Sequence, residues 1–317
     1  MFFIVTNKRD LTTDFVIREL NQRSLPFYRL NTEDITGGTV AFDPVSGAFA
    51  IQNRIDQIEL QWISAAYFRR PEVPIVPGGD GVSGDDKYAT SEWNALLKSL
   101  YLLIGDRWFS HPKDILLAED KPSQLRLAHR VGFGVPETII TNDLDTLQRF
   151  MIGGHVIGKP LRQALVDVGG CEQVIFTSLI GEVGEADREA LRKSPAIFQR
   201  HITKQFDIRV TVVGRKTFPV AIHSQDHEET ETDWRRGSNL HVVHEPIRLP
   251  PQIAAACVEF VRRQNLRFGA IDLVLGQDGT YWFLECNPNG QWAWIENRTG
   301  LPIAAAIVDE LLEIAAR

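Results

Sequence analysis

The sequence predicts an α+β fold divided into two or three packed lobes, and three observations lead to this prediction. The chain has 317 residues, whereas single hydrophobic cores stop growing near about 250–300 residues. Its amino terminus alternates strand and helix patterns, and strand patterns dominate the carboxyl-terminal part. Its composition, 44% hydrophobic and 24% charged, is that of a globular protein. We place the lobes at residues 1–115, 116–195 and 196–317.

The first lobe opens with a predicted βαβ unit. The apolar run Phe2–Val5 predicts a buried strand, which an amphipathic helix separates from a second strand around Phe27–Leu30. Alternating residues over Ile58–Phe68 favour another strand. The segment Pro74–Asp86 is rich in Gly, Pro and Asp and predicts a loop, and Ser91–Ile104 has helical periodicity.

The second lobe is predicted to begin with a helix that starts near Pro122 and stops at Gly132. The segment Val135–Ile140 predicts a strand, and Val156–Pro160 predicts another strand that ends in a lysine. The glycines of Val168–Cys171 favour a hairpin turn.

The third lobe is predicted to consist mainly of strands with two helices. The predicted strands are Ala196–Gln199, Asp207–Val213, Thr217–His223, Gly269–Leu275 and Tyr281–Glu285, and the predicted helices are Pro251–Asn265 and Ile303–Ala316.

Charge, cysteine content and hydropathy exclude several classes of protein. A net charge of −7 argues against general binding to nucleic acid or to anionic membranes. Three cysteines without a CxxC pattern favour neither a disulfide framework nor a structural zinc site. The first apolar run is too short for a signal peptide, and none approaches the roughly 18 residues of a membrane span. We therefore expect a soluble cytoplasmic protein.

Two acids and an amide are predicted to meet near the carboxyl terminus. The strands that carry Asp272 and Glu285 are joined by a short Asp-Gly turn, which favours an antiparallel hairpin. Asn287 lies two residues beyond Glu285 and so on the same face if the strand continues. Magnesium prefers oxygen ligands of this kind. In the alternative interpretation, the two acids merely flank a solvated hairpin.

Cations for a nucleotide site are available in the second lobe. Lys159 closes an apolar strand, and the following glycines Gly169 and Gly170 allow backbone amides to approach phosphate. Lys121 precedes a helix and offers a second cation. The chain has neither a GxxxxGK[ST] loop nor a GxGxxG sequence after the first strand, which disfavours P-loop and dinucleotide-binding folds.

Asp207 and Arg209 share one face of a predicted strand because they are two residues apart. An acid and an arginine side by side suit a ribose hydroxyl and a phosphate or acyl-phosphate oxygen. A cross-strand ion pair is the other interpretation of these two residues.

From residue 120 to the carboxyl terminus, these elements resemble those of the ATP-grasp ligases. More narrowly, several stretches resemble the microviridin-type (graspetide) peptide maturases, which cross-link ribosomally made precursor peptides. These stretches are Tyr67–Pro71 (YFRRP), Ser224-Gln225, Asp233-Trp234-Arg235 and Asn287–Trp292 (NPNGQW). The resemblance implies an N-terminal pre-ATP-grasp domain, a central lobe, and a carboxyl-terminal lobe with the metal site.

The resemblance also implies a role for particular residues. It implies that Lys121 and Lys159 contact the phosphates of ATP, and that Asp207 contacts the ribose. The implied adenine contacts are Gln199, Arg200, His201 and Ile202. Arg209 and Arg235 would face the phosphoryl group or the substrate, and Mg²⁺ would be held by Asp272, Glu285 and Asn287. Gln199 stands where many relatives have Glu, which weakens a contact between this side chain and adenine.

The implied reaction is ATP-dependent activation of an Asp or Glu side chain, followed by attack of a Ser or Thr hydroxyl or a Lys amine of the same peptide. Its partners would be a precursor peptide with a leader and, by family resemblance, a second copy of the chain in a homodimer. Two alternatives remain open: ligation of amino acids to a protein tail or of two small molecules, and a non-catalytic ATP-binding protein. The sequence does not distinguish ester from amide linkages or identify the rings and the peptide.

Two surfaces are candidates for contact with the peptide. The residues Asn289–Trp292 are predicted to shape the floor on which the acceptor lies. The charged segment His223–Arg248, together with the helix Pro251–Asn265, is predicted to bind the leader, although the segment also fits an ordinary long loop.

Overall fold

The structure is a computed structural model, and it describes residues 1–52, 57–79, 83–162, 165–169, 171–226, 232–237 and 242–317. Parts of the predicted Pro74–Asp86 loop and of the His223–Arg248 segment, as well as Gly170, lie outside these residues. Within the described residues, no helix combines the length and the apolar character needed to cross a membrane.

Within its described residues, the first lobe contains two small sheets and three α-helices. Its elements are β1 (Phe2–Thr6), α1 (Leu11–Gln22), β2 (Phe27–Asn31), β3 (Thr39–Phe42), β4 (Phe49–Gln52), β5 (Gln57–Glu59), β6 (Ala65–Phe68), α2 (Gly84–Ile104) and α3 (Pro112–Ala118). β1 pairs in parallel with both β2 and β6, which confirms the βαβ opening. α2 begins seven residues earlier than predicted because Ser83 caps it by accepting a hydrogen bond from the Asp86 amide.

The central lobe is built around a four-stranded antiparallel sheet in the order β11-β8-β12-β7. Its elements are α4 (Lys121–Arg130), β7 (Thr138–Thr141), α5 (Leu144–Met151), β8 (Val156–Lys159), β9 (Leu165–Val168), β10 (Cys171–Val174), β11 (Ser178–Leu179), α6 (Arg188–Arg192) and β12 (Ala196–Arg200). β12 pairs with β7 and β8. The chain therefore changes sheets at residues 201–203, whereas the predicted boundary was at residue 196.

The third lobe is a five-stranded sheet in the order β15-β14-β13-β16-β17, with helices packed on it. Its elements are β13 (Lys204–Val213), β14 (Lys216–Ile222), β15 (His244–Pro246), α7 (Pro251–Arg262), β16 (Phe268–Gly276), β17 (Tyr281–Asn287), α8 (Ala293–Thr299) and α9 (Ile303–Ala315). The turn between β16 and β17 is closed by Gly276, whose amide donates to the Thr280 carbonyl, and Gly279 supplies the required positive φ of 79°.

One hydrophobic core joins the first and third lobes. Ile4 of β1 and Leu20 of α1 lie in the same buried cluster as Ile307 and Leu311 of α9. The central sheet has a smaller cluster of its own around Phe150 and Phe198. The first and third lobes therefore share one packed base, and residues of the central and third lobes line the site described next.

Candidate active site

The two predicted acids lie directly opposite each other. Asp272 of β16 pairs with Glu285 of β17, and the register shifts between Asp272 and Leu273, which produces a bulge beside the pair. Such bulges redirect side chains next to functional sites. Asn287 follows two residues later, opposite Ala270, and its Oδ1 accepts a hydrogen bond from the Asn289 amide at 2.9 Å. The three residues thus lie on one strand pair, and their joint binding of a metal stays a prediction.

The carboxylate of Asp272 has spare capacity for a ligand. Arg209 of β13 lies opposite it, with Nε 3.2 Å from Oδ1. The two atoms lack hydrogen-bond geometry, however, so Oδ1 is buried without a hydrogen-bond donor among the described residues. Burial raises the pKa of Asp272, and neighbouring Glu285 adds to the rise while Arg209 opposes it. A divalent cation bound between the acids would offset both the burial of the Asp272 carboxylate and its repulsion by Glu285.

Arg209 forms a cross-strand ion pair with Asp272, which is one of the two interpretations that the sequence left open. Its guanidinium also lies 5.4 Å from the ring centre of Trp234.

The described residues contain no cluster of three or more His, Cys, Asp or Glu side chains able to hold a metal. Two carboxylates and an amide fit Mg²⁺, which takes its remaining ligands from water and substrate phosphate.

Cations surround Glu285. Lys121 Nζ lies 3.6 Å from Oε2 and Arg235 Nη1 lies 3.5 Å from Oε1. Burial would raise the pKa of Glu285, but the combined attraction of Arg235, Lys121 and further cations outweighs burial and lowers it. Glu285 is therefore ionised at neutral pH.

Lys159 is a buried cation of the site, with 9% exposure. Its ammonium donates to Gln199 Oε1 at 3.1 Å and to the Leu284 carbonyl at 3.3 Å. Burial lowers its pKa to about 8, and Glu285 opposes this shift. Two neutral acceptors do not balance a buried ammonium, so an anionic ligand would find this cation poorly compensated.

The predicted adenine hinge connects the central and third lobes. Gln199 is fully buried, and its amide donates to the Thr138 hydroxyl as well as accepting from Lys159. Both ends of this side chain are therefore engaged within the protein. Arg200 donates from its backbone amide to the Glu137 carbonyl, and its guanidinium binds the Glu137 carboxylate at 2.9 Å. The His201 amide donates to the His155 carbonyl.

Asp207 lies on the wall of the same cleft, but its carboxylate is already occupied. Lys204 Nζ donates to both of its oxygens, at 2.9 and 2.7 Å, and the Ser224 hydroxyl donates to Oδ2. Burial raises the pKa of Asp207, and Lys204 opposes that rise. The partner of Asp207 is thus Lys204, while Arg209 pairs with Asp272.

Asp233 and Gln124 are structural contributors that had no predicted role. Asp233 binds the Arg235 guanidinium through both carboxylate oxygens, at 2.8 and 2.7 Å, and accepts from the Thr177 amide, which links it to the central lobe. Gln124 of α4 exchanges two hydrogen bonds with the backbone of Cys286, at 2.7 and 2.9 Å. The Asp-x-Arg spacing was a usable signal, whereas a single Gln on a helix was not.

Two cavities meet at Arg235 and Glu285. The smaller, about 60 Å³, is also lined by Lys159, Asp207 and Asp272. The larger, about 500 Å³, has a polar wall formed by Glu119, Lys121, Arg162, Arg235, Glu285 and Asn287. The site therefore has an inner chamber beside the buried lysine and an outer chamber on the far side of Glu285.

The last residues of the NPNGQW stretch do not form the floor of either chamber. Trp292 is completely buried in the core shared by the first and third lobes, where it packs edge-on against Phe15. The prediction that Trp292 shapes the acceptor floor is therefore wrong, because an indole of this size is more stable inside that core than in a polar cleft. Asn289 and Gly290 accept hydrogen bonds from Arg69 of the first lobe.

The chain belongs to the RimK-like ATP-grasp family, whose domain matches residues 118–311. The α+β ATP-grasp fold predicted from the sequence is confirmed. The protein is accordingly an ATP-dependent ligase. No curated protein matches the chain.

Solved structures of peptide-processing ligases are similar over nearly the whole chain. A RiPP-associated ATP-grasp ligase of Chryseobacterium gregarium, in complex with ADP and a leader and core peptide, is 25% identical with a TM-score of 0.88 over 98% of this chain and 96% of that one. The macrocyclase MdnC of Microcystis aeruginosa, bound with precursor peptide MdnA, is 25% identical with a TM-score of 0.84 over 98% and 99%. The macrocyclase MdnB of the same organism is 26% identical with a TM-score of 0.79 over 98% of both chains. The resemblance to peptide maturases inferred from the sequence is confirmed.

Proposed function

We propose that this protein uses ATP and Mg²⁺ to form ester or amide bonds between side chains of a ribosomally made precursor peptide, which closes macrocycles. The main support is the convergence of Lys121, Lys159, Arg235 and the acid pair Asp272–Glu285 in one cleft. Similarity over 98% of the chain to ligases solved with leader, core or precursor peptides supports the peptide as substrate.

The cations of the cleft would bind the phosphates of ATP. Lys159 has only neutral hydrogen-bond acceptors, and Lys121 already touches Glu285, so a triphosphate entering between them would gain two charge-assisted contacts. Arg235 donates hydrogen bonds to both carboxylate oxygens of Asp233 and would face the transferring γ-phosphoryl group. Arg209 on β13, the strand paired with β16, would stabilise the negative charge on the same phosphoryl group.

Asp272, Glu285 and Asn287 would hold Mg²⁺, which when bound neutralises charge on the phosphoryl oxygens. The residues fit this role because Asp272 Oδ1 is buried without a hydrogen-bond donor in the described part of the chain. The opposed positions of the two acids on paired strands set the separation of the carboxylates without help from a mobile loop.

The nucleoside would lie toward the hinge. We propose that Arg200, His201 and Ile202 supply backbone contacts to adenine, although the Arg200 amide already donates to the Glu137 carbonyl. Gln199 would act indirectly, by holding Lys159. Asp207 would approach the ribose only if a ribose hydroxyl displaced Ser224 or joined its hydrogen bonds.

In the proposed reaction, a carboxylate oxygen of a peptide Asp or Glu attacks the γ-phosphorus of ATP, which forms an acyl phosphate and releases ADP. A Ser or Thr hydroxyl or a Lys amine of the same peptide then attacks the acyl carbon, and inorganic phosphate leaves as the ester or amide bond forms. The outer chamber, about 500 Å³, has room for the two reacting side chains.

The leader and a second copy of the chain complete the proposal. Helix α7 (Pro251–Arg262) buries Cys257 and Phe260 against the sheet, while Gln252 and Arg262 remain exposed for a leader peptide. If alanine substitutions of exposed α7 residues left leader affinity unchanged, the docking proposal would be rejected. Light scattering of the purified protein tests the proposed homodimer.

Mass spectrometry of the precursor peptide encoded beside the gene, after incubation with the protein, ATP and Mg²⁺, tests the function. The expected result is an ATP-dependent loss of one water per ring that Asp272→Asn does not catalyse. Methanolysis then separates ester from amide products. A gain in mass would instead support ligation to a protein tail, and an unchanged peptide with bound ATP would support a non-catalytic nucleotide binder.

A further inference from the structure

Arg70 lies where a parallel sheet offers a ligand site. It is the second residue after β6, at the carboxyl ends of the parallel strands β2, β1 and β6. β1 is the central strand, with β2 on one side and β6 on the other, so the strand order reverses direction at β1. In open α/β sheets, ligands bind outside the carboxyl ends of the strands at such a reversal of strand order. The proposed function assigns no role to this residue.

The backbone of Arg70 is strained. Its φ of 43° is positive, a conformation shared within the described chain by only two other non-glycine residues, Ser24 and Asn265. Those two follow helices α1 and α7, where the left-handed conformation commonly ends a helix. Arg70 follows a strand and terminates no helix, and strain of this kind persists mainly where function requires it.

Two contacts hold Arg70 in this position. Asn7 at the end of β1 donates from its side chain to the Arg70 carbonyl, and Arg70 Nε donates to the Asn289 carbonyl at 3.2 Å. The side chain is exposed. Its terminal nitrogens Nη1 and Nη2 have no hydrogen-bond partner among the residues that the structure describes. The open edge of the guanidinium is thus anchored on one side and free on the other.

Arg70 is connected to the outer chamber through the residues around Asn287 that line it. Asn289, which binds Arg70, donates from its amide to Asn287, one of the residues that line the chamber. Glu119, another lining residue, attracts the Arg70 guanidinium electrostatically. Arg162 of the central lobe lines the same chamber together with Lys121 and Arg235.

We propose that Arg70 binds a carboxylate of the substrate peptide beside the acid that is being activated. Its two free nitrogens form the fork that pairs with both oxygens of a carboxylate. The phosphates of ATP already have Lys121 and Lys159 as cations, so a second acid of the peptide is the better match for Arg70. This inference rests on the proposed function, because it assumes a peptide substrate.

Two substitutions separate binding from folding. Arg70→Gln keeps the length and polarity of the side chain but removes its charge, and Arg70→Gly removes the side chain and relieves the positive φ. Ser24→Gly is the matched control, since it relieves a positive φ of 54° at a residue that does not line the chamber. The probes are the fluorescein-labelled precursor peptide and an analogue in which the non-reacting core acids are amides.

The expected result is a dissociation constant for the precursor about tenfold higher in Arg70→Gln and Arg70→Gly than in the wild type, with affinity for the amide analogue equal in all three proteins. KM for ATP and the melting temperature of Arg70→Gln should not change, and Arg70→Gly should melt at the same or a higher temperature. Ser24→Gly should bind like the wild type.

Equal precursor affinity in the wild type and Arg70→Gln would overturn the assignment, as would an equal loss of affinity for the amide analogue. Binding is measured without turnover, so this result is independent of whether rings form. Failure of the wild-type protein to dehydrate the precursor would overturn the proposed function instead.

Discussion

The two ends of the stretch from Glu285 to Trp292 differ in how completely the charged groups around them are hydrogen-bonded. At its carboxyl end, Arg69 is 1% exposed and binds Asp10 at 3.0 Å, the carbonyls of Asn289 and Gly290 at 2.7 and 2.8 Å, and Gln291 Oε1 at 2.9 Å. We call this buried network the lobe junction. Each acceptor of the junction has a donor, and every charge has a counter-charge.

At the amino end of the same stretch, charges meet without being fully hydrogen-bonded. Asp272 Oδ1 and Arg209 Nε lie 3.2 Å apart and neither has a hydrogen-bond partner within the described chain. Glu285 is 3.5 to 3.6 Å from its nearest cations. Saturated polar networks fix a structure, whereas unsaturated ones keep capacity for a ligand. The contrast therefore separates the residues that hold the lobes from those that serve the reaction.

The largest expected effect comes from removing a carboxylate of the acid pair. Asp272→Asn or Glu285→Gln should lower the rate of ring closure by about 10³-fold or more, because the loss of charge at a metal site costs several kcal/mol of transition-state stabilisation. The rate is measured by mass spectrometry of the peptide. Asp278→Asn, in the exposed turn of the same hairpin, is the control and should keep wild-type turnover. Wild-type turnover in Asp272→Asn would contradict the metal assignment.

The lobe junction should respond in stability. Arg69→Met leaves the buried carboxylate of Asp10 without its cation and should lower the free energy of unfolding by about 3–5 kcal/mol. Urea denaturation followed by tryptophan fluorescence measures it. The double variant Arg69→Met/Asp10→Asn should recover part of the loss. A change below about 1 kcal/mol in the single variant would mean that the junction contributes little.

Lys159 should have opposite effects on ligand binding and stability. Lys159→Met should raise KM for ATP by about 10- to 100-fold, because a charge-assisted contact is lost. Its melting temperature should stay the same or rise, because an incompletely compensated ammonium no longer has to be buried. The two quantities are measured by steady-state kinetics and calorimetry. A fall in melting temperature with unchanged KM would make Lys159 structural.

The same lysine predicts a pH dependence. Its folded-state pKa is about 8, against 10.5 as the reference value, so the free protein loses this proton above pH 8. Bound phosphate favours the charged form, so ATP binding above pH 8 should take up nearly one proton, measurable by titration calorimetry in buffers of different ionisation enthalpy. Lys159→Arg should abolish this uptake. In the absence of ligand, Lys159 stays protonated to a higher pH in the unfolded chain than in the folded protein. Its contribution to the free energy of unfolding therefore rises between about pH 8 and 10.5.

The smallest effect concerns the face opposite the acids. Cys286 lies between Glu285 and Asn287 but points into the core, and burial raises its pKa, as burial also raises the pKa of Cys257 to about 12. Neither thiol should react with maleimide at pH 7.5 in the native protein, and activity should be unchanged. Peptide mapping detects labelling. Rapid native labelling of Cys286 would mean that β17 does not alternate as described.

Much of the fold follows from local pattern. The βαβ opening, the hairpin that carries Asp272 and Glu285, and the helix that begins at Lys121 all have periodicity or turn signals that act over a few residues. Boundaries set by capping or by sheet pairing were less accessible, as the early start of α2 and the placement of β12 in the central sheet demonstrate.

The sequence by itself determined which chemical groups the site contains: two acids and an amide at the end of a hairpin, and lysines at the starts and ends of elements. Only the tertiary structure decided which charges meet. It paired Arg209 with Asp272, occupied Asp207 with Lys204, and divided the neighbouring Arg69 and Arg70 between a buried junction and an exposed edge. The physical reason is that alternation within a strand follows from backbone geometry, whereas partners across sheets depend on how three lobes pack together.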